Sequence, residues 1–134
     1  MSDSQPVMPH KRVGVGVIRH DQGEILISRR LVKGEMGGLW EFPGGKVEAN
    51  ETVVECIERE IREELGIQVL VQEHLVTIEH QYAKFRLTLF VHNCQYVGGE
   101  PQALESEEIR WVTPEEITKL SFPEANYQII TLLQ

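Results

Sequence analysis

Apolar and polar positions alternate along VGVGVIRH from Val13 and again along EILISRR from Glu24, with HDQGE between them as a turn. Period-two alternation on both sides of a Gly-containing turn predicts two strands joined as a hairpin. The Gly-rich LVKGEMGG reads as a loop, LWEF as a short strand, and PGG at Pro43 to Gly45 as a forced break. The period then changes. At roughly 100° per residue, Val53, Val54, Ile57, Ile61 and Leu65 share one stripe, which predicts a helix ended by Gly66. Thr52 with Glu55 three residues on matches a capping box, and Asn50 is the alternative N-cap. Glu60 and Glu63 fall beside the stripe and Glu64 at its edge.

Beyond the helix, IQVLVQEHLVTIEHQY and FRLTLFVHNCQYV read as two long strands, with Gly98-Gly99 as the closing turn. Ile109 to Val112 is a short strand. Thr113-Pro114-Glu115-Glu116 opens a helix, with Thr at the cap, Pro first and Glu third. Pro123 starts a last helix whose Ile129, Ile130, Leu132 and Leu133 form its apolar side. Strands with one internal helix and helices at the end predict an α+β fold or an α/β/α sandwich. Residues 1–10, polar and Pro-containing, are expected to be flexible, and residues 11–134 to form a single domain.

Composition narrows the class. With 41% hydrophobic and 25% charged residues the chain reads as soluble and globular, with no apolar run of membrane length and no signal-peptide core. Cytoplasm is the expected location. Cys56 and Cys94 have no ligand spacing and read as reduced packing residues. His10, His20, His74, His80 and His92 read as surface or turn residues, and Trp111 as core. The net charge of −8 is uneven: residues 51–66 hold six Glu against two Arg, a net of −4. An acidic surface does not attract polymeric nucleic acid.

Glu60, Glu63 and Glu64 stand three and four positions apart, a spacing at which like charges on a helix repel by a few tenths of a kcal/mol per pair. They adjoin the apolar stripe rather than opposing it, and the helix follows a Gly-Gly turn that a ligand can approach closely. A divalent cation would relieve the repulsion. Oxygen-only ligands point to magnesium or manganese, which keep water and accept phosphate oxygens.

GGKVEANETVVECIEREIREELGI contains G-x5-E-x7-R-E-U-x-E-E-x-G-U, with U aliphatic, filled by Gly45, Glu51, Arg59, Glu60, Ile61, Glu63, Glu64, Gly66 and Ile67. This resembles the signature of the Nudix hydrolase family. VGVGVIRH, ISRR, LWEFPGGKVE, LTLF and FPEAN resemble its MutT-like branch from about residue 11 to the end. The resemblance implies a Nudix α/β/α sandwich around a mixed sheet. It also implies a magnesium-dependent nucleoside triphosphate pyrophosphohydrolase, with manganese as a possible substitute, that sanitises the nucleotide pool by cleaving 8-oxo-dGTP to 8-oxo-dGMP and pyrophosphate.

Residue by residue, the resemblance implies that Glu60, Glu63, Glu64, Glu105 and the Gly44 carbonyl hold metal. Arg59 orients the carboxylates and Glu51 fixes the loop to the helix. Glu60, Glu64 and Glu105 remain alternative general bases. Arg30, Glu41, Phe42 and Asn126 are implied in substrate binding. Asn126 offers an amide donor and acceptor to a modified guanine, whereas Trp40 or Phe42 fits plain core equally well. Glu35, Lys84 and Phe85 depart from the MutT-like pattern, which leaves a CTP or modified dCTP pyrophosphohydrolase as the alternative. A non-catalytic module reading oxidised guanine in DNA is the remote one. The expected partner is a nucleoside triphosphate, with no membrane and a monomeric chain.

Overall fold

The structure is a computed structural model describing residues 8–134. Most of the expected flexible N-terminal segment, residues 1–7, lies outside the described residues, and the first strand already begins at His10. The elements are β1 (His10–Arg19), β2 (Ile25–Arg29), β3 (Trp40–Glu41), β4 (Gly44–Lys46), α1 (Val53–Leu65), β5 (Gln68–Gln81), β6 (Arg86–Gly98), β7 (Glu108–Val112), α2 (Pro114–Ile117), a 3-10 turn (Glu124–Asn126) and α3 (Tyr127–Leu132). All seven strands form one sheet. Its main path runs β3-β2-β1-β6-β5, with β4 added beside β1 and β7 beside β2. Only β1 and β6 pair in parallel, so the sheet is mixed.

The alternation in VGVGV sorts β1 between two apolar cores. Val15 and Val17 face a cluster containing Leu89, Val91, Ile117, Phe122, Ile129 and Ile130, which is the face covered by α2 and α3. Gly14 and Gly16 face α1, whose Ile57, Ile61 and Leu65 form the second cluster with Ile18, Leu26 and Cys94. The glycines let the helix come close: a Cβ at Gly16 would stand 2.8 Å from Ile61 Cδ1, and one at Gly14 3.0 Å from Ile57 Cγ1. Helix, sheet and terminal helices thus make the α/β/α layering.

Helix α1 starts and stops as the sequence predicts. Thr52, not Asn50, is the N-cap: its hydroxyl accepts from Glu55 N–H and the Glu55 side chain accepts from Thr52 N–H. Gly66 ends the helix at φ 70°, in the left-handed region. The stripe itself differs from the apolar pattern. Val54 is 40% exposed, and Cys56 is buried instead, because the first turn leans toward β4 and Cys56 Sγ donates to the carbonyls of Gly45 and Lys46. Glu64, placed at the stripe's edge by its sequence, is buried inside it.

Two further expectations are corrected. The Pro43 to Gly45 break overlaps β4, whose pairing with β1 is long-range and leaves no local alternation to read. The last helix begins as a 3-10 turn after Pro123 and becomes α-helical only at Tyr127. His10 and His74 are exposed, as the sequence suggested: His10 bonds Thr88 Oγ1 at 2.7 Å from β1, and His74 and His92 are cross-strand neighbours with rings 5.5 Å apart. Trp111 packs against the α1-side core beside the rings of His20 and Tyr96.

Candidate active site

Arg59 gathers the acidic segment. Its Nε donates to Glu51 Oε2 at 2.6 Å and one terminal nitrogen to Glu51 Oε1 at 3.0 Å, a bidentate pair. The other terminal nitrogen donates to Glu60 Oε2 at 2.9 Å and Glu63 Oε1 at 3.1 Å. A further bond to the Lys46 carbonyl, 3.2 Å, ties the helix to the end of β4. Glu51 also accepts the Glu48 N–H at 2.9 Å. The guanidinium, followed by that backbone donor, holds the Glu51 carboxyl down at about 2, and its carboxylate partners push Arg59 in the opposite direction. One cation therefore offsets three of the carboxylates and pins the loop that precedes them.

Glu64 is left out of that arrangement. It is 6% exposed, its carboxylate accepts from Ser28 Oγ at 3.3 Å, and the nearby Gly44 backbone amide favours its charged form. These two donors do not compensate its loss of water. Burial, reinforced by the nearby charge of Glu41, pushes the Glu64 carboxyl up to about 8. Glu60 is raised in the same direction by burial. Arg59 opposes that shift, and the charges of Glu63 and Glu105 add to it. Glycine at position 45 lets the Glu60 carboxylate lie against the loop, where a Cβ would displace it.

The β1–β4 register explains the part played by Gly44. Gly14 pairs with Gly45, Gly16 N–H donates to Pro43 O, and Val47 N–H donates to Arg12 O. Antiparallel alternation then turns the amide groups of Gly44 away from β1. Its N–H reaches Glu64, and its carbonyl lies outside the ladder on the same side.

On its other side Gly44 borders a pocket of about 220 Å³. Val13, Val15, Leu87 and Leu89 give the pocket its apolar surface, and Arg30, Glu41, Phe42 and Asn126 all line it. Arg30 and Glu41 form an ion pair at 2.8 Å, and Arg30 also donates to the Glu35 carbonyl at 3.1 Å. Burial raises the Glu41 carboxyl, and the Arg30 charge opposes that rise. Phe42 stacks on Phe122 at 5.3 Å and so serves pocket wall and core together, whereas Trp40 is core only, under the Arg110 guanidinium. Asn126, 9% exposed, projects from the 3-10 turn.

The predicted residues thus fall into two neighbouring groups. Glu105, on the exposed loop before β7, borders a small recess with Arg30, Glu35 and Glu41, and its charge reaches Glu60. Among the described residues, no three of His, Cys, Asp and Glu converge tightly enough to enclose an ion as they stand. Arg59 occupies oxygens of Glu60 and Glu63, and Glu64 is turned to Ser28 and Gly44. The donor chemistry nevertheless suits a hard divalent ion, being carboxylate and carbonyl oxygen only, with one buried carboxylate lacking a cationic partner. Sequence reasoning missed Ser28 and Tyr82. Ser28 had a signal, as the one hydroxyl in the wholly buried run Ile25 to Ser28. Tyr82 had none locally.

The description of the NUDIX domain matches residues 14–132. The 8-oxo-dGTP diphosphatase of Escherichia coli K12 is 32% identical over 127 residues, covering 95% of this chain and 98% of that one. The CTP pyrophosphohydrolase of the same organism is also 32% identical, over 116 residues, with coverage of 87% and 86%. Among solved structures, the MutT protein of Methanosarcina mazei Go1 superposes with a TM-score of 0.86 at 25% identity, covering 96% of both chains. A glycine-led loop, an arginine-bound acidic helix and near-complete alignment with these relatives lead to one conclusion: the chain belongs to the Nudix hydrolase family.

Proposed function

We propose that this chain is a divalent-metal-dependent nucleoside triphosphate pyrophosphohydrolase that converts 8-oxo-dGTP and water to 8-oxo-dGMP and pyrophosphate. The observation that carries this reading is the position of Gly44. It borders the apolar pocket with Asn126, and its backbone amide acts on the Glu64 carboxylate of the acidic helix. A base in the pocket would place its phosphates toward the carboxylates.

Glu60, Glu63, Glu64 and the Gly44 carbonyl would hold the ion, magnesium by preference and manganese as substitute, with Glu105 added from its loop. Such an ion, when bound, neutralises phosphate charge and lowers the pKa of a coordinated water. Arg59 keeps Glu60 and Glu63 aligned, and Ser28 fixes the Glu64 carboxylate. Arg30 contacts the nucleotide from the pocket rim, and Asn126 offers its amide to the purine edge. The proton acceptor is one of Glu60, Glu64 and Glu105. Burial raises the proton affinity of Glu60 and Glu64 in the metal-free chain, and a bound divalent ion would pull both carboxyls back toward the ionised form a base needs.

The second reading, a CTP or modified dCTP pyrophosphohydrolase, is supported by the equal identity of the CTP-cleaving relative and by Glu35 and Phe85, which line the pocket. Pyrophosphate release from a panel of triphosphates with magnesium separates the two. Turnover of 8-oxo-dGTP no faster than of dGTP or CTP sinks the oxidised-purine reading and leaves the hydrolase reading standing. Retention of Glu60, Glu63 and Glu64 favours an enzyme over a DNA-reading module. In this reading a monomeric enzyme works in the cytoplasm, where its nucleotide substrates are; among the described residues no helix is long and apolar enough to cross a membrane.

A further inference from the structure

The turn that carries Asn126 is short and receives no side-chain cap from its own N-terminus. A single 3-10 turn is marginal by itself. Its geometry is held from outside, by the β5–β6 hairpin. Tyr82 closes that hairpin, donating its N–H to the Phe85 carbonyl at 2.9 Å. The Tyr82 hydroxyl accepts a hydrogen bond from the Ala125 N–H at 3.1 Å, at the middle residue of the turn. His80 adds a second strap, with Nε2 2.9 Å from Glu124 Oε2 and its ring set edge-on to Tyr82 at 4.5 Å. Tyr82 in turn lies 5.0 Å from Phe85, over which Lys11 Nζ sits at 4.1 Å. Lys11, Tyr82 and Phe85 line the same pocket as Asn126.

We propose that Tyr82 is a positioning residue for base selection: through its bond to Ala125 it fixes the depth at which Asn126 presents its amide in the pocket. This rests on the reading that Asn126 reads the purine edge. Amide-to-base hydrogen bonds tolerate only a few tenths of an ångström between good and poor geometry. A turn tied at its middle residue holds that tolerance. An untied turn lets the Asn126 amide average over several depths, which weakens discrimination between bases that differ by one donor or acceptor.

Tyr82→Phe keeps the ring and removes the hydroxyl. The expected result is a KM for 8-oxo-dGTP raised about fivefold to tenfold, the scale of one lost hydrogen bond, with kcat within about twofold. The kcat/KM ratio of 8-oxo-dGTP over dGTP should fall by a similar factor. In an Asn126→Ala background, Tyr82→Phe should leave that ratio where Asn126→Ala alone puts it. An unchanged ratio, an equal loss for every nucleotide, or the same further drop in the Asn126→Ala background each overturns the proposal. Asn126→Ala with an undiminished ratio overturns the base-reading assignment as well, whereas loss in Asn126→Ala without loss in Tyr82→Phe overturns only the role of Tyr82. If Tyr82→Phe does not fold, Glu124→Ala cuts the second strap at a side chain that is 75% exposed. A twofold to threefold fall in the same ratio then supports the proposal, and no change overturns it.

Discussion

Replacing Glu64 by Gln in metal-free protein should make the fold more stable at alkaline pH while destroying activity. The Glu64 carboxyl is pushed up to about 8 by burial, against 4.5 for an ordinary glutamate. Between those values the folded chain binds a proton that the unfolded chain has released, so stability falls as pH rises through that window. At about 1.4 kcal/mol per pH unit, the gap corresponds to an upper bound of roughly 5 kcal/mol. Water penetration and movement of Ser28 or Gly44 reduce the realised effect to about 2–4 kcal/mol, since effective interior dielectrics exceed the dry value. The amide of Gln keeps an oxygen for both donors and never ionises. Chemical denaturation of the two proteins with a chelator present, from pH 5 to 9, tests this directly. The curves should meet near pH 5 and separate by about 2–4 kcal/mol above pH 8, a difference of about 10 °C in Tm on the usual scale for a domain of this size. Excess magnesium should stabilise the parent at high pH and leave the Gln variant unmoved. Parallel curves at every pH would show that Glu64 is ionised and solvated in the folded chain, and the account of its burial would fail.

Other substitutions test neighbouring parts of the same arrangement. Arg59→Lys should lower kcat about 100-fold or more and reduce Tm, because an ammonium cannot reproduce the paired bonds to Glu51 while also reaching Glu60 and Glu63; near-parent kcat in a steady-state assay refutes that. Ser28→Ala removes a donor to the ionised form of Glu64, so the acidic limb of the pH–rate profile should move to higher pH, with a rate loss of a few fold at neutrality. Gly16→Ala places a methyl group 2.8 Å from Ile61 Cδ1 and should cost about 1–3 kcal/mol in urea denaturation.

How much of this could be read from the residues depends on range. The extent of the acidic helix was legible, since Thr52, Glu55, the apolar period and Gly66 are local signals that agree with one another, although Val54 and Cys56 exchange places on its buried side. The depth of Glu64 was not. The stripe was drawn through apolar residues alone, yet at ~100° per residue Glu64 falls nearly in line with Ile57, and only the orientation of the helix on the sheet makes that arc the buried one. β4 was hidden because Gly44–Lys46 has no alternation and takes its strand character from β1, some 30 residues upstream by the register of Gly14 with Gly45. Arg30, Glu41, Phe42 and Asn126 entered through family resemblance rather than spacing, and the fold places them around one pocket. Tyr82 was unreadable for a simple reason: its partner lies 43 residues away.

Gly44 has a consequence for the reach of the molecule. A nucleotide spans a fixed length from its ring to its phosphorus atoms, and the peptide at Gly44 touches the surroundings of both ends. In the proposed binding mode that peptide would act as a ruler. A ligand with a longer or shorter bridge between ring and phosphate would satisfy one end only by lifting off the other, so selectivity for length would rest on the backbone rather than on a side chain.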